Sequence, residues 1–179
     1  MFEKIETEIP GLFIVKPRIF SDDRGLFIKL FHDKLFEKLG LRSDFKEEYY
    51  STSKKGVVRG LHFQLPPEQH VKCISCIQGE LFDAVVDLRK DSPTYGKHFT
   101  ITLNSKEPTV LYIPEGMAHG FMSLTDDTIF LNKTTSVYHA DCDTGIHWDS
   151  CGIKWPEIPV IVSEKDRNML PFEQFESPF

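Results

Sequence analysis

The stretch Val71-Lys72-Cys73-Ile74-Ser75-Cys76-Ile77-Gln78-Gly79-Glu80-Leu81-Phe82-Asp83-Ala84-Val85-Val86-Asp87-Leu88 decides how the chain is read. Two runs rich in β-branched and apolar residues flank a Gln-Gly turn, the pattern of neighbouring extended segments. Alternate residues of a strand share a face, so Lys72, Ile74 and Cys76 look one way, and Asp83, Val85 and Asp87 share a face of the second run. A face that mixes charge with apolar side chains is unusual in a packed core, because each buried charge needs a partner. It is ordinary in a barrel that holds a small ligand. The same periodicity fits an amphipathic edge with Lys72 in solvent, and alternation alone does not separate the two.

Outward from this pair, further extended segments are expected at Leu12 to Lys16, Leu26 to Phe31, Phe45 to Ser51, His98 to Leu103, Thr109 to Ile113 and Thr128 to Thr135. Turn residues stand between many of them: Asp22-Asp23-Arg24-Gly25, Ser92-Pro93 and Pro114-Glu115-Gly116. One short helix is predicted at Asp33 to Leu39, with Asp33 as its cap and Gly40 as its terminator. The tail from Trp155 to Phe179 carries four prolines and scattered aromatics, and is expected to wrap the surface or a partner, with one helical turn near Glu164 to Asn168. No β-helix-β alternation and no internal repeat occurs. Many short strands at short spacing imply an all-β sandwich or barrel, and 179 residues suit one domain, 1–179.

With 27 acidic against 21 basic side chains the net charge is -6, which disfavours a nucleic-acid partner while leaving room for local arginines to meet an anionic substrate. No apolar run approaches the roughly 18–20 residues that span a bilayer, and the charged start Met1-Phe2-Glu3-Lys4 lacks a hydrophobic signal core. A cytoplasmic protein is expected. Cys73 and Cys76 have the spacing of a redox or zinc pair, but residues three apart on a strand point to opposite faces. They read as two buried structural thiols, with Cys76 on the face of Lys72.

The segment Arg59-Gly60-Leu61-His62-Phe63-Gln64 carries the chemistry. Gly60 permits positive φ or close passage of another backbone. His62 can take and return a proton near neutral pH, and Lys72 supplies a positive charge. This combination suits proton abstraction beside a carbonyl, because the enolate oxygen must be stabilised as its charge develops. A carboxylate behind His62 would hold its tautomer; Asp83, Asp87 and Asp166 are the candidates, and periodicity does not choose among them. Arg24, Arg59 and Arg89 are placed to meet phosphates, and Phe27 to stack on a flat ring. A second histidine, His119, lies in Ile113-Pro114-Glu115-Gly116-Met117-Ala118-His119-Gly120-Phe121, a turn leading back into a strand.

That Pro-Glu-Gly-x-x-His run resembles the second motif of the cupin superfamily. The first motif is only half matched, since Gln64 stands where a second histidine is usual; His62, Glu68 and His119 remain the one set that would hold a metal. Asp23 to Phe27, Val58 to Gln64, Phe82 to Arg89, Asp91 to Gly96, Ile113 to Phe121 and Ile153 to Pro156 together resemble the dTDP-4-dehydrorhamnose 3,5-epimerase family, the RmlC-like cupins. The resemblance implies a cupin double-stranded β-helix jelly roll, assembled as a homodimer, that uses no metal or cofactor. It further implies action on a nucleotide-diphosphate-linked 4-keto-6-deoxy sugar. His62 would be the base, supported by Asp166, with Lys72 on the enolate. Arg24 and Arg59 would meet phosphate, with Arg24 and Phe27 reaching the partner's site. His119 and Asp83 would line the cavity.

Two departures from the family pattern bear on function. Asn132 stands where the family usually has the tyrosine that returns a proton on the face opposite the histidine, and an amide is no proton donor of suitable pKa. Delivery would then fall to water or to another residue such as Tyr138, and inversion is expected at one carbon, C-3. In the pocket expected for the base, Lys29, Glu47 and Tyr49 replace a glutamate, a glutamine and an asparagine, which points to altered base recognition, with CDP, UDP or GDP as carrier rather than dTDP. The alternatives are a full 3,5-epimerase, a metal-dependent cupin enzyme and a non-catalytic sugar-nucleotide binding protein.

Overall fold

The computed structural model describes residues 2–179; Met1 lies outside the described residues. In chain order the strands are β1 (Glu3–Glu6), β2 (Phe13–Lys16), β3 (Ile19–Asp22), β4 (Gly25–Ile28), β5 (Glu47–Ser53), β6 (Val57–Gln64) and β7 (Lys72–Gln78). They continue with β8 (Glu80–Asp87), β9 (His98–Asn104), β10 (Val110–Ile113), β11 (Met117–Ser123), β12 (Thr128–Thr134), β13 (Asp143–Gly145) and β14 (Ile161–Val162). Two short helices, α1 (Asp33–Lys38) and α2 (Glu164–Arg167), complete the regular elements, with one 3-10 turn at Phe172–Gln174. Among the described residues no helix is long and apolar enough to cross a membrane.

Six strands form one sheet in the order β1-β2-β10-β7-β12-β5, and five form a second in the order β13-β6-β11-β8-β9, with β14 alongside β6. From β5 to β8, and again from β9 to β13, successive strands alternate between the sheets, as in a jelly roll. Strands β3 and β4 form a separate hairpin. Between the sheets lies an apolar core of Ile74, Cys76, Leu81, Val85, Leu103, Leu111, Phe121 and Phe130. The outer face of the first sheet, with Val15, Cys73, Val110 and Tyr112, is covered by Phe36 of α1 and its neighbours. The outer face of the second, with Leu61, Phe63, Ala84 and Val86, is covered by Phe172, Phe175 and Phe179. The tail therefore wraps this chain's own surface. Cys73 and Cys76 are buried free thiols in different layers, as strand alternation requires.

Three expectations change. Helix α1 is capped by His32, not Asp33, and without a side-chain cap bond; the Asp33 carboxylate accepts from its neighbour Lys34 N–H at 2.6 Å instead. Strand β4 begins at Gly25, so the acidic turn is the tip of a tight hairpin. Strands β6 and β11 were absent from the periodic pattern, yet they run side by side at the centre of the second sheet, with His119 paired to His62 and a bulge just beyond. Both contain a mid-strand glycine, which ordinarily weakens a strand. Gly60 sits at φ 124°, and a Cβ there would meet the Gly120 Cα at 2.5 Å and the His119 carbonyl oxygen at 2.7 Å. The two glycines are the reason these backbones can approach so closely.

Gly60→Ala is expected to cost roughly 2–4 kcal/mol through left-handed strain plus the backbone clash. Chemical denaturation would read this loss, and a change under 1 kcal/mol would contradict it.

Candidate active site

One end of the space between the sheets is open, leaving a cavity of about 590 Å³, a size suited to a small-molecule site. Its walls come from both sheets. On β6, Leu61 and Phe63 belong to the outer layer, so His62 turns inward, and on β11 His119 and Phe121 do the same. Opposite them stand Lys72 of β7 and Tyr49 of β5. Lys72 is only 6% exposed, so its face is the interior of a ligand-holding barrel and not an edge in solvent.

Asp166 is the carboxylate behind His62. Its Oδ1 lies 2.7 Å from His62 Nε2, and Oδ2 accepts the Gly60 N–H at 3.3 Å. Ser163 caps α2 by accepting the Asp166 N–H at 3.1 Å, which fixes the carboxylate over β6. Burial opposes charge on Asp166, but hydrogen bonds from His62, Gly60 and Ser163, and the His62 charge, outweigh it and hold the carboxyl below its ordinary range. The other two candidates serve elsewhere. Asp83, fully buried, pairs with His119 Nε2 at 2.8 Å, and burial raises its pKa against the opposing pull of His119 and Lys72. Asp87 accepts from Arg89, Ser92 and Thr94. Arg89 is thereby tied to Asp87 and to the Pro10 carbonyl, away from the cavity lining.

Lys72 Nζ donates to the His62 carbonyl oxygen at 2.9 Å, leaving two of its three donors free of protein partners. Burial pushes its pKa down to about 8, against the attraction of Asp143 and Asp83. His70, beside it, is pushed down to about 3 by burial and by the Lys72 charge, and so stays neutral. Arg59 reaches the cavity wall, its guanidinium donating to Ser53 Oγ and the Thr52 carbonyl at 3.2 Å each.

Glu47, Tyr49 and Tyr138 border the same region as His62 and Lys72, and Glu47 accepts the Tyr138 N–H at 2.8 Å. Asn132 is buried beneath Tyr49, and its Nδ2 donates to the Tyr49 hydroxyl at 2.7 Å. Gln64 is buried, its amide spent on the Glu68 and Val137 carbonyls and the His139 N–H, so it ties the loop after β6. Glu68 does not converge with the two histidines; its carboxylate bonds Ser136 and pairs with His139. Arg24, Phe27 and Lys29 lie away from the cavity, on or beside the β3–β4 hairpin, where Phe27 is 63% exposed. Sequence reasoning passed over Asp143 and Lys165, an ion pair at 2.5 Å beside the cavity. Lys165 adjoins Asp166 in sequence, which is the signal for it, whereas Asp143 sits on a three-residue strand with no periodic signal.

A histidine–aspartate pair facing an ammonium across a sugar-sized cavity is the constellation that comparison with known proteins explains. Residues 6–174 match dTDP-4-dehydrorhamnose 3,5-epimerase. The chain belongs to this family. The enzyme of that name from Shigella flexneri is 43% identical over 167 residues, 92% of each chain. The crystal structure of the Legionella pneumophila epimerase in complex with dTDP-4-keto-L-rhamnose superimposes with a TM-score of 0.94 at 35% identity, over 98% of this chain and 95% of that one. A 3'-monoepimerase from Streptomyces bikiniensis, in complex with dTDP-quinovose, gives a TM-score of 0.87 at 28% identity, over 92% and 85%. The family's cupin-like jelly roll is the fold seen here, and the protein is an enzyme, a nucleotide-sugar epimerase.

The buried Lys72 ammonium should be a stability cost. Lys72→Met is expected to stabilise the protein at pH 7 by on the order of 1–3 kcal/mol. From pH 8 towards 10.5 the unfolded chain still binds a proton that the folded chain has released, so wild-type stability rises and the gap narrows. Denaturation at several pH values would check both signs.

Proposed function

We propose that the protein epimerises a nucleoside-diphosphate-linked 4-keto-6-deoxy sugar by removing a proton α to the ketone, with inversion confined to C-3. The observation that carries this reading is the His62–Asp166 pair at 2.7 Å facing Lys72 across the cavity. His62 takes the α-proton; Asp166 orients the ring and stabilises the imidazolium. The two free donors of Lys72 meet the C-4 oxygen as it becomes an enolate oxygen. Arg59 meets the diphosphate near the cavity mouth, and the buried His119–Asp83 pair orients sugar hydroxyls. Support for a single inverted carbon comes from Asn132, which cannot act as the acid at its position, and from the monoepimerase activity named for a protein of the same fold.

The reaction is read by incubating dTDP-, UDP-, CDP- and GDP-linked 4-keto-6-deoxyhexoses in deuterium oxide and following C-3 and C-5 by NMR. Deuterium entry with inversion at C-3 alone is expected. His62→Asn should lower it at least ~10²-fold, and the rate should fall as pH rises through about 8, where Lys72 loses the proton that stabilises the enolate. Equal inversion at C-3 and C-5 would refute the restriction; metal dependence or binding without exchange would refute the reading itself.

The protein acts as a homodimer in which Arg24 and Phe27 of one copy enter the cavity of the other. The hairpin's exposed Phe20, Leu26 and Phe27, and its separation from the cavity of its own chain, support this arrangement. Mixing inactive His62→Asn protein with Arg24→Ala/Phe27→Ala protein should then regain roughly a quarter of wild-type activity, one intact site in each of half the dimers. Activity no higher than the sum of the two parents would exclude the exchange.

A further inference from the structure

Inversion requires that a proton leave one face of the sugar and another arrive on the opposite face. His62 works from the second sheet, so the donor must stand on the first. There Lys72 is committed to the enolate oxygen, and Asn132 is both chemically unsuited and sealed beneath another side chain. Strand β5 runs antiparallel to β12 with Asn132 directly paired to Tyr49. On β5, Glu47, Tyr49 and Ser51 share the inward face, and Tyr49 borders the cavity together with His62 and Lys72. Its hydroxyl is held by the Asn132 amide at 2.7 Å, which donates to the phenol oxygen and leaves the phenolic proton uncommitted. Tyr138, the other phenol of the region, is 60% exposed against 45% for Tyr49, and lies on the loop beyond β12 rather than on a strand of the cavity wall.

Resting on the epimerase reading above, we propose that Tyr49 is the catalytic acid, delivering a proton to C-3 on the face opposite His62, with Asn132 as its positioning residue. In this step the enolate carbon–carbon π pair forms the new C–H bond as the Tyr49 O–H bond breaks. The C-4 carbonyl re-forms, and the phenolate left behind accepts the Asn132 N–H. Solvent then reprotonates the phenolate, and the His62 imidazolium releases its proton to solvent. Burial of the hydroxyl, reinforced by Glu47 and Asp143, raises the Tyr49 pKa despite the Asn132 bond, so the phenol enters each turnover protonated.

The test uses the dTDP-linked 4-keto-6-deoxyhexose in deuterium oxide, scoring exchange and inversion separately. Tyr49→Phe should retain deuterium entry at C-3 within about tenfold of wild type, because His62 still removes and returns a proton on its own face. Inversion should fall by ~10²-fold or more. Retained exchange also shows that the variant is folded. Asn132→Ala should lower inversion by about tenfold, and Tyr50→Phe, on the opposite face of β5, should leave it unchanged. The cross-strand exchange Y49N/N132Y should recover inversion at least tenfold over Y49N by returning a phenol from the neighbouring strand. Near-normal inversion by Tyr49→Phe, or loss of inversion in Tyr138→Phe instead, overturns the assignment while leaving the epimerase reading intact. Wild-type protein that neither exchanges nor inverts this sugar or its UDP-, CDP- and GDP-linked counterparts overturns both.

Discussion

A lysine ammonium held out of water between two sheets, facing a histidine whose ring is anchored by a buried aspartate, constrains the rest of the structure. Burial drives the Lys72 proton off, and only nearby charge and dipoles oppose that loss: the Asp143 and Asp83 carboxylates and the His62 carbonyl oxygen. Those partners must come from β13, β8 and β6, three strands of the opposite sheet. The two sheets therefore cannot collapse onto one another at this end, as they do around Ile74, Leu81 and Val85. The cavity is the space that this polar arrangement keeps from being filled, and the apolar core beside it supplies the stability that the charged end lacks.

The same arrangement explains why glycine is needed at two neighbouring strand positions. His62 and His119 must both face inward from adjacent strands, each backed by its own carboxylate from a different part of the chain. The Asp166 carboxylate reaches the Gly60 N–H as well as the His62 ring, so the helical turn carrying it has to lie close over β6. A side chain at Gly60 would push β11 away and with it His119. Stability and site geometry are here set by one backbone crossing.

Much of this was legible in the sequence because strand alternation is a local property. The shared face of Lys72, Ile74 and Cys76, the opposed faces of Cys73 and Cys76, and the helical turn near Asp166 all follow from residues within a few positions of one another. What alternation cannot supply is register between strands far apart in the chain. Nothing local tells that Asp166, 104 residues from His62, reaches it while Asp83 goes to His119. Strands β6 and β11 stand outside the periodic pattern because Gly60 and Gly120, with Arg59, His62 and His119, break the hydrophobic alternation that marks a strand; Arg59, His62 and His119 also line the cavity. The resemblance to a known family bridged part of that gap, since it carried Asp166 to His62 where spacing could not.

Pairing across strands also changes what a substitution means. Adjacent strands lie about 4.8 Å apart, and a phenol extends further from its backbone than that spacing. A tyrosine on β5 and one at the paired position on β12 can thus bring a hydroxyl to nearly the same point. Read along the chain, Asn132 is a lost acid and Tyr49 a changed contact in a base pocket. Read across the sheet, they are one hydrogen-bonded pair at one level of the cavity. The buried amide holds the phenol oxygen in place, and in the proposed step it would also steady the negative charge that proton delivery leaves there. Under the proposed assignment, a donor approaching from β5 would reach the sugar from a different angle than one on β12 and would favour one α-carbon over the other, so the exchange that preserves proton return would also narrow where it acts.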